Sequence, residues 1–221
     1  KRQAYLGRRV SPRRALPPPH PFFAFLADHE HSLTDLIMSY ADPLYCSNKD
    51  GTALLKCWKS LGGAEDKLRQ GYGDDVARWK GVEMVDGGRV VRVKWTNMGL
   101  KGNLPSEIGE LDGLRVLNLH YNEISSIPSE IGKLTSLTNL YLGFNHLEDL
   151  PHELGNLRSL TSLHLNENRL SVLPSTLANL TNLGCFTLFN NNFTFLSQGF
   201  HARNPIQVQT FLATLKSTDQ N

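Results

Sequence analysis

Leu137-Thr-Asn-Leu140-Tyr-Leu142-Gly-Phe-Asn145-His-Leu147-Glu-Asp-Leu150-Pro151 is the stretch on which the fold turns. The same skeleton stands 23 residues earlier as Leu114, Leu117, Leu119, Asn122, Ile124, Ile127 and Pro128. It stands 23 residues later as Leu160, Leu163, Leu165, Asn168, Leu170, Leu173 and Pro174, and then, more loosely, as Leu183, Phe186, Leu188, Asn191, Phe193 and Leu196. The Leu-x-Leu step has period two, which predicts a short strand with its apolar side inward. One copy cannot bury that side alone; stacked copies form a continuous core with their strands side by side.

Working outward, each Pro is followed by a segment with apolar residues three apart: Ile131/Leu134, Leu154/Leu157 and Leu177/Leu180. That spacing suits one helical turn on the outer face. Asn122, Asn145, Asn168 and Asn191 recur where the chain leaves the strand. A buried ladder of their amides is expected, satisfying backbone groups that are costly to leave bare. A fifth, looser copy precedes these: Val90, Val93, Trp95, Met98, Leu100 and Leu104, with one insertion. About five strands at roughly 4.8 Å spacing predict an inner sheet about 20–25 Å wide.

Solenoid ends need covers. Upstream, a helix is expected over Asp50–Leu61, with Asp50 as its N-cap and Gly62-Gly63 as its stop. Downstream, Asn204-Pro205 opens a helix in which Val208, Phe211, Leu212 and Leu215 share a face. The expected organisation is a basic Pro-rich arm 1–27, a linker 28–49 with a short helix over Ser32–Tyr40, an N-terminal cap 50–88, repeats 89–198 and a C-terminal cap helix within 199–221.

The skeleton L-x-x-L-x-L-x-x-N-x-L resembles that of leucine-rich-repeat proteins. The later Leu-Pro and Ile-Pro copies look like the intracellular Ras-group type. The order Asp50-x-x-Ala53-Leu54, Gly62-Gly63, Trp79-x-Gly81-Val82, Arg89-Val90 is similar to the amino-terminal cap of plant, oomycete and brown-algal members, including receptor ectodomains and ROCO-type multidomain proteins. The resemblance covers about residues 50–198. It implies an α/β leucine-rich-repeat solenoid: a short curved arc with a parallel sheet on its concave face and helical caps at both ends. The plant receptor cap usually reads C-x-W-x-G-V-x-C, and here its cysteine positions hold Ala77 and Met84.

Of 221 residues, the first 27 carry six bases (Lys1, Arg2, Arg8, Arg9, Arg13, Arg14), five prolines and no acid, within a chain of net charge +2. A solvated, extended arm or linker is the expectation, with contact to an acidic partner or an organellar transit remnant as the alternatives. The sequence begins at Lys1 rather than Met, so a preceding segment is expected. Three cysteines (Cys46, Cys57, Cys185) at no metal-binding spacing predict free thiols, with Cys46–Cys57 pairing as the alternative. With the absent cap cysteines, this favours an intracellular, cytoplasmic protein over an organelle-imported or extracellular one. Asn179-Leu-Thr and Asn192-Phe-Thr are candidate glycosylation acceptors.

His152-Glu153 and His29-Glu30 lack the second His of a zinc-peptidase helix, and Gly71-Tyr-Gly73 lacks the third glycine of a dinucleotide loop. The expectation is no enzyme, no cofactor, no metal and no nucleic acid. Binding is expected instead on the concave face, where residues between the skeleton leucines form columns. These read Lys94, Asn118, Tyr141, His164, Thr187; then Thr96, His120, Gly143, Asn166, Phe189; then Asn97, Tyr121, Phe144, Glu167, Asn190. Aromatic rings that the core does not need mark interface centres. The predicted partner-binding residues are therefore His120, Tyr121, Tyr141, Phe144, His164, Asn166, Glu167 and Phe189, with the two histidines as a source of pH dependence. A scaffold or signalling subunit holding a protein partner is the favoured reading. A receptor-like ectodomain and a structural subunit of a larger assembly are the alternatives.

Overall fold

In the computed structural model, residues 48–71, 73, 75–85, 88–194, 201–202 and 205–218 are described. The chain divides into two units, Lys1–Ala41 and Asp42–Asn221. The basic arm, nearly all of the 28–49 linker and Cys46 lie outside the described residues.

Five short strands make the repeat sheet in parallel register: β2 (Arg89–Lys94), β4 (Val116–Asn118), β6 (Asn139–Tyr141), β7 (Ser162–His164) and β8 (Cys185–Thr187). Val93, Leu117, Leu140, Leu163 and Phe186 are direct partners across it, and all are fully buried. The sheet is wider than the five strands expected. β1 (Val82–Val85) and β9 (His201–Ala202) extend it antiparallel at either edge. Both edges of the repeat sheet are thus paired, which protects them from adventitious strand addition. A small second sheet pairs β3 (Lys101–Asn103) with β5 (Glu123–Ser126).

On the outer side, each expected helical turn is a 3-10 turn: Ser106–Glu110, Ser129–Lys133, His152–Asn156 and Ser175–Asn179. Each follows a proline, whose carbonyl accepts from the N–H of Ile108, Ile131, Leu154 or Leu177. Proline's fixed φ suits that flank, and its missing N–H is not needed there.

The amides of the repeated asparagines interlock. Asn122 Oδ1 accepts from Met98 N and Leu100 N, while its Nδ2 donates to Trp95 O and Leu119 O. Asn145, Asn168 and Asn191 accept from Ile124, Leu147 and Leu170 N. The carbonyls of Leu119, Leu142 and Leu165 each accept from two successive asparagines. The first repeat has Met98 in the ladder position, so the row begins at Asn122.

The N-terminal cap corrects one expectation. Helix α1 (Lys49–Ser60) is capped by Asn48, whose Oδ1 accepts from Asp50 N and Gly51 N. Asp50 lies inside the first turn, buried, and accepts from Val90 N at 2.7 Å beside Arg89. It was drawn from capping into a tie between cap and first repeat strand, because a buried strand-end N–H needs an acceptor. After a short helix α2 (Glu65–Arg69), Trp58 and Trp95 meet edge-on at 5.0 Å. Cys57 is a free, buried thiol, pushed up to about 12 first by burial and then by Glu107. At the other end, helix α3 (Pro205–Thr218) buries Val208, Leu212 and Leu215. Its Gln209 donates to the carbonyls of Leu180 and Leu183, satisfying the last repeat.

Candidate functional site

Five rings from three adjacent repeats touch on the concave face. His120 meets Tyr121 at 6.0 Å, Tyr141 at 5.6 Å and His164 at 5.7 Å between centroids. Tyr141 meets His164 edge-on at 4.8 Å. Tyr121 and Phe144 stack at 4.2 Å with 16° between planes. His120, Tyr141, Phe144 and His164 are half-buried, and Tyr121 is 50% exposed.

The backbone beneath the stack is unusual. Asn97, Tyr121, Phe144, Glu167 and Asn190 all lie at φ between 53° and 58°, the left-handed region. Each immediately precedes a ladder position, where the chain turns out of its strand. Asn tolerates this conformation, whereas for Tyr, Phe and Glu it costs about 1 kcal/mol each. Bonds such as Tyr121 N to Gly143 O and Phe144 N to Asn166 O hold it in place.

Glu167 stands in the repeat that follows Phe144, and Phe189 in the repeat after that. Glu167 donates its N–H to Phe189 O, and its carboxylate accepts from Asn190 Nδ2. Asn166 departs from the expectation that it faces a partner. Its side chain lies over Gly143 and its Oδ1 accepts from Thr187 Oγ1 at 2.9 Å, leaving Asn166 4% and Thr187 1% exposed. The physical reason is the absent side chain at Gly143, which lets the amide lie flat along the sheet.

Two supporting residues escaped the sequence columns. Asn139 Nδ2 donates to Tyr141 Oη at 3.0 Å, and Cys185 Sγ lies 3.5 Å from His164 Nε2. Both stand two positions from a column member on a strand or its repeat neighbour. The period-two rule that defined the central column would have found them.

His120 is neutral at pH 7. Burial, then the neighbouring His164, pushes its imidazole down from an ordinary 6.5 to about 4, and its Nε2 is buried without a hydrogen-bond partner among the described residues. Between these values the unfolded chain binds a proton that the folded chain refuses. The folded state is therefore fully favoured above pH 6.5 and loses that advantage as pH falls towards 4. His120→Phe, which keeps a ring of similar shape, is expected to narrow the drop in urea midpoint between pH 7 and pH 4.5. An equal drop in both proteins counts against the assignment. At the sheet's first edge, a hydrogen bond from Lys94 and the charge of Arg92 hold the Glu83 carboxyl below the usual carboxylate range.

The comparisons agree with this architecture. Family descriptions "Leucine Rich repeats (2 copies)" and "Leucine Rich Repeat" match residues 112–156 and 159–180. The BIR2 ectodomain of Arabidopsis thaliana is 29% identical with TM-score 0.59, over 64% of this chain and 80% of that one. The ectodomain of the Arabidopsis thaliana receptor kinase SOBIR1 is 25% identical with TM-score 0.54, over 66% and 81%. The Arabidopsis receptor kinase HAESA ectodomain, solved with an IDA peptide hormone ligand, is 27% identical with TM-score 0.52, over 66% and 30%. No curated protein sequence matches. The chain carries leucine-rich repeats over residues 112–180, and its fold is shared with plant receptor ectodomains. Among the described residues no helix is long and apolar enough to cross a membrane.

Proposed function

We propose that this chain is a non-catalytic recognition module that holds a protein or peptide partner on its concave face. His120, Tyr121, Tyr141, Phe144 and His164 form the contact centre, with Glu167 and Phe189 at its edge. The observation that carries the reading is the Tyr121–Phe144 stack, held in left-handed backbone where two other repeats use Asn97 and Asn190. Large, stiff aromatic side chains supply most of the energy in interface centres. Solved neighbours with peptide or protein ligands, among them the BIR3–SERK2 complex at 26% identity and TM-score 0.55, support the same use of the fold.

The test is capture of partners from native extract by wild type and by Tyr141→Ala/Phe144→Ala. The double variant is expected to lose at least about tenfold in retention, since two interface aromatics contribute 2 kcal/mol or more. Its circular dichroism and urea midpoint should remain those of a folded repeat protein. Undiminished capture by a folded double variant would move the binding site off this face.

A second reading, the ligand-binding ectodomain of a receptor-like protein, draws support from the ectodomain neighbours, which give none to the intracellular placement. Both sequon asparagines, Asn179 and Asn192, are exposed. Glycan mass on either, in protein from its native source, supports the extracellular reading; bare asparagines at both favour a cytoplasmic scaffold.

A further inference from the structure

The repeat position that follows the ring stack holds a carboxylate without an ion pair among the described residues. Tyr121, Phe144 and Glu167 occupy the same left-handed position in three successive repeats, so their side chains rise side by side at about the 4.8 Å strand spacing. Two other acids of these repeats are paired, Glu123 with Lys101 at 3.0 Å and Glu148 with Arg169 at 3.9 Å. Glu167 pairs with no cation among the described residues. One of its oxygens accepts from Asn190, which fixes the carboxylate without neutralising it. Its backbone N–H donates to Phe189 O.

A half-buried carboxylate next in line to a ring stack has a defined complement. A guanidinium is planar, stacks on ring faces and donates to a carboxylate at the same time. An ammonium fits the charge but not the stack, and a neutral side chain fits neither. His120 at the centre of the face is neutral at pH 7 and does not compete for the carboxylate.

We propose that Tyr121, Phe144 and Glu167 form a subsite for an arginine side chain of the bound protein, the guanidinium laid along the rings and paired with Glu167. This rests on the concave face being the binding face, but its test requires no native partner. Full-length protein is titrated with Nα-acetyl-arginine amide, and separately with its citrulline and lysine counterparts, while the ring resonances of Tyr121 and Phe144 are followed by NMR. Arginine amide is expected to shift both rings saturably in the millimolar range, with lysine amide weaker and citrulline amide silent. Glu167→Gln, which keeps an acceptor for Asn190, should weaken the arginine response about threefold or more, the scale of one exposed charge pair. Tyr121→Asn, matching the residue in two other repeats, should abolish the shift at Phe144 while leaving the fold intact. Equal responses to arginine and citrulline, a lysine response matching that of arginine, or an unchanged titration in folded Glu167→Gln would each overturn the assignment. Loss of partner capture in Tyr141→Ala/Phe144→Ala with no arginine response in wild type would retain the binding face and reject this subsite.

Discussion

Replacing Asn122 by Leu is expected to destabilise the protein by about 3–4 kcal/mol. The two side chains have similar volume, so the loss is of hydrogen bonds rather than packing. Asn122 Oδ1 is the acceptor for two backbone donors of the preceding repeat, Met98 N and Leu100 N, and the Leu100 contact is fully buried. A buried donor left bare costs about 1–3 kcal/mol. On the donor side the damage is smaller, because Leu119 O still accepts from Asn145 while only Trp95 O loses a partner outright. A loss of this size lowers the melting temperature by about 6–16 °C in a domain of this length. Asn191→Leu serves as the internal comparison. Asn191 is part-buried and accepts from one donor, Leu170 N, so its loss should cost about 1 kcal/mol. Equal destabilisation by the two substitutions, read from urea unfolding, would mean that the ladder acts as a uniform row rather than through the donors each amide serves.

The ladder and the stacked leucines were legible because both follow from spacing. A repeat of 23 residues puts identical side chains on identical turns, and no tertiary information beyond stacking is needed. The same logic brought His120, Tyr121, Tyr141, Phe144 and His164 into one cluster, since adjacent strands place equal positions side by side. What spacing could not supply was anything decided between unlike elements. β1 is too short to read from its pattern alone: Val82 is buried, Met84 partly so, and Glu83 and Val85 are exposed. Its place in the sheet comes from pairing with β2, where Val82 meets Val93. Asn48 and Asp50 are equally good helix caps by type, and the Val90 N–H chose between them by binding the second. The burial of Asn166 depends on Gly143 and Thr187 in the repeats on either side. Left-handed backbone at Tyr121 and Phe144 was hinted at only by Asn97 and Asn190, which share their position and favour that conformation.

Gly132→Val is the other substitution expected to do serious harm, about 3 kcal/mol, with Gly132→Ala costing about 2 kcal/mol, both from forced overpacking. Gly109, Gly132 and Gly155 hold one position in three successive 3-10 turns, and none has positive φ, so the demand is for space rather than for glycine's conformational freedom. A Cβ at Gly132 would lie 2.6 Å from Glu153 O and 2.7 Å from Glu153 Cβ; at Gly109 it would lie 2.6 Å from Glu130 O, and at Gly155 2.3 Å from Thr176 O. The obstacle in each case is the backbone of the next turn, which cannot rotate away. Relief requires separating two turns whose leucines share one core, and that opens voids on both sides. The fourth turn shows the converse. Ala178 fills the equivalent position, and the neighbour of that turn is helix α3 rather than another 3-10 turn. Gly113 provides the control, because a Cβ there meets only ordinary contacts, the nearest 3.4 Å away at Val90 O. The equivalent positions of later repeats hold Ser136, Ser159 and Asn182. Gly113→Ser should therefore change the urea midpoint little, while Gly132→Ala lowers it clearly with the same slope. If Gly132→Ala proved as harmless as Gly113→Ser, close approach of the outer turns would not be what excludes a side chain there.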